Sequence, residues 1–208
     1  MSQNSPWFDW AKQLRAIAQA GHAYSENPYD LERFDQIAEI AHKMFAELTE
    51  TPVAKISELF VAESGYPTPK VDVRAGVIQE NKILLVKERA DGLWTLPGGF
   101  ADVCETPSEA VVRETLEESG YIVNKAKLIA VKDRDSHNYL PKYPFHIYKM
   151  FFLCDLIGGE PTVNLEASDI GFFALNNIPE LSQGRTSLDD IKRVFDFTAG
   201  KIDQVYCD

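Results

Sequence analysis

Glu114, Glu117 and Glu118 stand at i, i+3 and i+4 of a stretch that reads as a helix, so their side chains share one helix face. Three carboxylates so placed repel one another, and each has difficulty ionising alone. Their position near the helix C-terminus adds to the conflict, because the helix dipole there favours cations. A hard divalent cation removes it, since oxygen ligands suit Mg²⁺ or Mn²⁺. Taken alone, the run Arg113-Glu114-Thr115-Leu116-Glu117-Glu118 reads most often as a solvated charged face. Its surroundings tip the balance toward metal binding. Gly98-Gly99 precedes Glu105 by a short loop, and Glu105 precedes Arg113 by eight positions.

The elements that must position these groups are legible. Thr106, Pro107 and Glu109 make a capping box with proline at the first helical position, and Gly120 suits a left-handed helix end. The spacing predicts a helix over 107–119, with Val112, Thr115 and Leu116 packing inward. Val71, Val73, Ala75 and Val77 alternate with Asp72, Arg74 and Gly76, as in a strand, and Asn81 marks a turn before Ile83-Leu84-Leu85-Val86. Further strands are expected over 121–132, 147–156 and 171–174, and a helix over 187–197. Strands mixed with few helices indicate an α+β or α/β/α arrangement.

Read together, Gly99, Glu105, Arg113-Glu114, Glu117-Glu118 and Gly120 resemble the Nudix box, the signature of hydrolases that act on a nucleoside diphosphate linked to another moiety. Every charged and glycine position of that signature is filled. Thr115 stands where a bulky aliphatic is usual, a difference of packing more than of catalysis. Leu93-Trp94-Thr95-Leu96-Pro97-Gly98-Gly99 also resembles the strand and turn that lead into the family's box, and the resemblance covers roughly residues 70–200. It implies a Nudix α/β/α sandwich with a mixed sheet. It also implies metal ligation by Glu114 and Glu118, with Glu117 as a further or water-mediated ligand and the Gly98 carbonyl completing the shell. Glu117 and Glu118 are thereby expected catalytic residues. Arg113 and Glu105 are expected to pair and to orient the helix against the loop. Mg²⁺ or Mn²⁺ would neutralise the diphosphate and acidify bound water, with in-line attack at phosphorus and no covalent nucleophile.

Outside the box the reading is more open. Glu166 is the first candidate for a general base and Asp169 the second, though both read equally well as surface carboxylates of a loop. Arg74, Lys87 and Arg89 come from strands and a loop bordering the expected site, where they could reach phosphate; solvent exposure is the default for each. His137, in the polar loop Asp135-Ser136-His137-Asn138-Tyr139, could wall a base or ribose pocket. Trp94 is expected in the core between Leu93 and Leu96. Nothing near Cys104 argues for a thiolate role.

The remaining observations bound the class of protein. The 208 residues carry 21 basic and 32 acidic side chains, a net charge of -11. That field opposes binding to nucleic acid or anionic membrane, and an anionic substrate then needs bound cations. No apolar run approaches the roughly 18 residues that span a bilayer. The first residues lack the features of a signal peptide, and the three cysteines are far apart, so a reducing cytoplasm is the expected setting.

Residues 1–65 read as helical, with stripes Trp7, Trp10, Leu14, Ile17, Gly21 and Leu31, Phe34, Ala38, Ala41, Phe45, Leu48, and a third segment holding Ile56, Leu59 and Phe60. Asn27 suits an N-cap before Pro28. Two prolines in Ser64-Gly65-Tyr66-Pro67-Thr68-Pro69 place a boundary there: a small all-helical domain over 1–65, a Nudix domain over 66–208. The acidity is shared, with 5 basic and 10 acidic residues before the boundary and 16 and 22 after it, nets of -5 and -6. Asn27-Pro28-Tyr29-Asp30-Leu31-Glu32-Arg33-Phe34 resembles the N-terminal extension of a Nudix branch that includes homodimeric ADP-ribose and CDP-choline pyrophosphatases. The expected partners are therefore such a small molecule and a second copy of the chain, with the helices forming much of the interface and bordering the substrate pocket. Two alternatives are an RNA-end or exonucleolytic phosphohydrolase, which the charge and the lack of a Lys/Arg cluster oppose, and a ligand-binding regulatory module, which the complete set of box carboxylates opposes.

Overall fold

A computed structural model describes residues 6–208. Packing divides them into two units: residues 6–69 together with Lys142–His146, and Lys70–Pro141 together with Ile147–Asp208. No helix among the described residues is long and apolar enough to cross a membrane.

The first unit holds α1 (Pro6–Tyr24), α2 (Pro28–Thr49) and α3 (Val53–Phe60). Asn27 caps α2 by accepting the Tyr29 amide at 2.9 Å, Pro28 opens the helix, and Glu50 ends it in the left-handed conformation. Phe8, Ala11, Phe45, Ala46, Ile56 and Phe60 form the core, closed by Phe145 from the returning segment. The Phe60 and Phe145 rings lie 4.9 Å apart, and Lys12 Nζ donates to the Phe145 carbonyl at 2.9 Å.

The stripe expected on α1 does not face this core. Phe8, Ala11, Ala18 and Gln19 turn inward, whereas Trp7 and Trp10 remain 54% and 44% exposed and Ile17 is exposed too. The physical reason is size: Ala11 and Ala18 let α2 approach, and indoles at those positions would hold the helices apart. Of the stripe, Gly21 does meet α2, where a Cβ would run into the Phe34 ring. Leu59 of α3 is exposed, while its expected companions Ile56 and Phe60 are buried.

The second unit comprises β1 (Lys70–Gln79), β2 (Lys82–Glu88), β3 (Trp94–Thr95), α4 (Pro107–Ser119), β4 (Tyr121–Asp133), β5 (Ile147–Gly159), β6 (Ala167–Ala174), α5 (Leu188–Thr198) and β7 (Tyr206–Cys207). The strands form one mixed sheet in the order β3-β2-β1-β5-β4-β7, with β6 also paired to β2. β1 runs parallel to β5 and antiparallel to β2. One sheet face packs Val73, Ala75, Val77, Leu84 and Phe152 against Ala110 and Val111 of α4. The other packs Ile83, Leu85, Ile129 and Phe151 against Ile191, Val194 and Phe197 of α5. A sheet between two helices is the α/β/α sandwich expected from the sequence.

Burial on both faces changes the reading of β1. Its valines lie on the α4 face as the alternation predicts, but Asp72, Arg74 and Gly76 are buried as well, not solvated. Asp72 accepts a bidentate pair from Arg74 at 2.7 and 3.0 Å and a third bond from buried Lys149 at 2.6 Å. Arg74 and Lys149 hold the Asp72 carboxyl down to about 2 against the opposing effect of its burial.

Candidate active site

β1 and β2 pair only near their shared turn, at Ile78–Ile83 and Gln79–Lys82. Beyond it the free edge of β1 is taken by residues 97–101. Ala75 N donates to Pro97 O at 2.9 Å, Val73 N to Gly99 O at 2.8 Å, and Ala101 N to Val71 O at 3.0 Å. This ladder forces the Gly98 backbone to φ 140° against β1, where a Cβ would strike the Val73 carbonyl oxygen. Only glycine fits there. The Gly98 amide then donates to Glu118 Oε2 at 2.8 Å. A Cβ on Gly99 would come 2.9 Å from Glu114 Oε2. The glycine pair thus brings a bare backbone against two carboxylates of α4.

α4 begins at the expected capping box, with Thr106 and Glu109 bonded reciprocally, and ends at Gly120 in the left-handed region. Thr115 is fully buried and bonds back to the Val111 carbonyl, so it fits the aliphatic position as a small inward residue. Leu116, expected inside, is exposed; Ala110 and Val111 fill the inward face instead.

Arg113 and Glu105 pair as expected, at 2.6 and 3.0 Å. Hydrogen bonds from Arg113 and then from the Asp102 amide hold the Glu105 carboxyl down to about 2. The same guanidinium reaches Glu114 Oε1 and Glu117 Oε2, both at 2.9 Å. The three helix carboxylates therefore differ more than their shared face predicts. Glu117 points to solvent, Glu114 is half-buried, and Glu118 is buried. Burial pushes the Glu118 carboxyl up to about 8, against the pull of Arg74 and the Gly98 amide; burial raises Glu114 as well.

Among the described residues no group of three or more His, Cys, Asp or Glu side chains is gathered closely enough to hold a metal ion. Arg113 draws Glu114 and Glu117 to itself, while Glu118 is held at Gly98. The donor set nonetheless fits a hard divalent cation. It is all oxygen, and burial without full charge compensation leaves Glu114 and Glu118 in need of positive charge.

The other expected site residues divide. Glu166 lies in a loop tied to this end of α4: Asn164 Nδ2 donates to the Glu117 carbonyl at 2.6 Å, and Asn164 Oδ1 accepts the Glu166 amide at 2.8 Å. The Glu166 charge is felt at Glu88. Asp169 is exposed on β6, opposite Lys87 in the register.

Of the four expected substrate contacts, Arg74, Arg89 and His137 bond to protein groups and Lys87 lies on the face away from α4. Arg74 is buried and saturated by Asp72, Thr95 and Leu96 O, so the sheet interior takes the charge that was expected at phosphate. Lys87 sits opposite Trp94 and, by the two-residue repeat, shares the face of Ile83 and Leu85, away from α4. Arg89 donates to the Asn164 carbonyl at 2.8 Å and serves the loop. His137 is held by the Asp208 carboxylate at 2.9 Å. Trp94 packs on the α5 face, edge-on to Phe173 at 4.7 Å, as expected of a core residue.

Two charged residues missed in the sequence belong to this region. Glu88, the last residue of β2, is buried, and its charge raises the Glu118 carboxyl. Burial raises Glu88 too, opposed first by Arg185 and then by Arg74. Arg185 Nε lies 3.2 Å from Glu88 Oε1. The available signal was an acidic residue closing a strand with the apolar centre Ile83-Leu84-Leu85-Val86, and a lone arginine just before the Ser187 cap of α5. A cavity of about 500 Å³ opens beside this cap, lined in part by Asn138, Asn176, Gln183 and Thr186. Thr186 Oγ1 accepts the Leu96 amide at 3.1 Å, so the cavity wall is bonded to the segment that carries Gly98.

Comparison with known proteins agrees with this geometry. Residues 68–195 match the family model described as the NUDIX domain, and residues 5–60 match one described as a UDP-X-like N-terminal oligomerisation domain. YjhB of Bacillus subtilis (strain 168), provisionally named an ADP-ribose pyrophosphatase, is 41% identical over 191 residues, 92% of this chain and 91% of its own. The crystal structure of a UDP-X diphosphatase superposes with a TM-score of 0.63 at 28% identity, covering 100% of both chains. That of an ADP-ribose pyrophosphatase from Streptococcus suis 89-1591 gives a TM-score of 0.62 at 37% identity, over 68% of this chain and all of its own. The chain belongs to the Nudix family. It is a Nudix pyrophosphatase: a hydrolase with a helical N-terminal region of the kind described for oligomerisation.

Proposed function

We infer that this chain hydrolyses the pyrophosphate linkage of ADP-ribose, using Mg²⁺ or Mn²⁺ held by Glu114 and Glu118. Glu117 and the Gly98 carbonyl complete the donor set, and the protein works as a homodimer. The observation that carries the reading is Glu118, a buried carboxylate fixed on the Gly98 amide beside Glu114. ADP-ribose comes first because the relatives in Bacillus and Streptococcus carry that activity in their names. CDP-choline is the alternative from the sequence resemblance.

When bound, the divalent ion neutralises the diphosphate and acidifies the attacking water. The protein's own groups do the rest. Arg113 locks α4 to the Glu105 loop and so fixes the position of Glu114 and Glu118. Glu166 takes the proton of the attacking water, from a loop that Asn164 ties to α4. The cavity beside α5 receives one of the two moieties joined by the diphosphate. Trp7, Trp10 and Ile17, left exposed on α1, support the dimer reading.

A second reading, hydrolysis of a UDP-linked compound, rests on one observation: the UDP-X diphosphatase matches the whole chain, helical region included. Hydrolysis of ADP-ribose, CDP-choline, a UDP-sugar and a capped oligonucleotide, each with and without EDTA, separates these readings. Product analysis in ¹⁸O-water identifies the phosphorus attacked. The expected result is preferential, EDTA-sensitive hydrolysis of ADP-ribose; full activity in chelator overturns the metal mechanism.

A further inference from the structure

Four arginines lie in this region, and two of them, Arg74 and Arg113, are fully committed to carboxylates. Arg74 is buried and makes a bidentate pair with Asp72. Arg113 holds three glutamates. Arg89 is exposed on the loop after β2 and, among the described residues, donates only its Nε, to a loop carbonyl.

Arg185 is held more loosely than Arg74 and Arg113. Its side chain is 35% exposed, and its carboxylate contacts are single and long: Nε to Glu88 Oε1 at 3.2 Å and Nη1 to Asp91 Oδ2 at 3.2 Å. Nη1 also donates to Ser182 Oγ at 3.1 Å. Asp91 does not depend on it, because the Ser182 hydroxyl and the Leu93 amide already bond that carboxylate at 2.7 and 3.0 Å. Among the described residues no partner is found for Arg185 Nη2. The backbone, by contrast, is fixed. Ser182 N donates to Trp94 O at 2.8 Å, and the Arg185 and Thr186 amides donate to Ser182 O at 2.8 and 2.9 Å. A pinned turn therefore presents a loosely held guanidinium beside Glu88, whose charge reaches Glu118.

An anionic diphosphate arriving among Glu88, Glu114, Glu118 and Glu166 needs a cation from the protein, and a guanidinium fork matches phosphate oxygens two at a time. We propose that Arg185 is the phosphate-gripping residue of this enzyme: it leaves Glu88 to bind a phosphate group of the nucleotide, and Glu88 holds its place in the unliganded protein. The assignment rests on the pyrophosphatase reading above and adds the residue that recognises the substrate's charge.

The test uses the full chain and two readouts. In steady-state hydrolysis of ADP-ribose with Mg²⁺, R185Q raises KM about 10-fold or more with a smaller change in kcat, and R185K recovers part of the loss. In EDTA, calorimetric titration with AMP shows binding by wild type, weakened about 10-fold or more in R185Q. E88Q binds AMP as well as wild type or more tightly, because the competing carboxylate is gone. An unchanged thermal melt of R185K and R185Q keeps the comparison one of binding. Equal AMP affinity in wild type and R185Q, or no AMP binding by wild type, overturns the proposal. A wild type that binds AMP through Arg185 but leaves ADP-ribose intact overturns the choice of substrate and not the role of Arg185.

Discussion

Glu118 accepts the Gly98 amide and is otherwise enclosed by protein, which disfavours an ionised carboxylate until positive charge arrives. Glu118→Gln preserves the size of the side chain and its capacity to accept that bond. It should lower kcat by about 10²-fold or more while circular dichroism stays unchanged. A variant of near-normal kcat would remove Glu118 from the chemistry. The general base is decided by two further variants. Glu166 shares the loop that Asn164 ties to α4, whereas Asp169 lies on β6 across from Lys87. Glu166→Gln should therefore slow turnover by roughly 10²-fold and Asp169→Asn by little. The reverse pattern would move the role to Asp169, and two unimpaired variants would leave metal-bound hydroxide sufficient.

At the level of elements, the box was legible because its geometry is local. A capped helix puts Arg113 one turn from Glu117, and the resemblance to the box implied its pairing with Glu105. Glu88 and Arg185 were not legible, because they meet only when the 182–186 turn bonds to β3, nearly a hundred positions along the chain from β2. The burial of the polar members of β1 was not legible for a different reason. Alternation by itself marks a strand with one solvent face, but a central strand covered by α4 and α5 has none. The Asp72–Arg74–Lys149 group formed there carries its own prediction. Asp72→Asn would leave Arg74 and Lys149 buried without their counter-charge, a loss of about 3–5 kcal/mol in urea unfolding at neutral pH. The sign with pH follows from the lowered Asp72 carboxyl. Its stabilisation is complete above the ordinary value of 3.8 and is lost as pH falls toward about 2. Wild-type and variant stabilities should converge over that acid range, and curves that stay parallel would show that Asp72 is not the group involved.

For the molecule as a whole, the proposed homodimer rests on the exposed face of α1. Trp7 and Trp10 stack edge-on at 4.8 Å on the outside of the helical unit, and aromatic groups of that size favour burial against a second copy. Light scattering at micromolar concentration should return the mass of a homodimer, and replacing both indoles by serine should shift it toward the monomer. A monomeric wild type would refute the interface and leave the aromatic face to another role. Deleting residues 1–65 should give a monomeric or aggregating protein of altered substrate selectivity, and it would also strip the partners from Phe145. That phenylalanine has a further consequence. The chain passes between the two units three times, after Pro69, Pro141 and His146, because Lys142–His146 returns to the helices. A single proteolytic nick between Ser64 and Pro69 therefore severs the covalent link but leaves Phe145 gripped by Phe60 and the Lys12 ammonium on its carbonyl. The two fragments should co-elute as one particle in native buffer and separate only in denaturant, because Phe145 is part of the helical unit's own core.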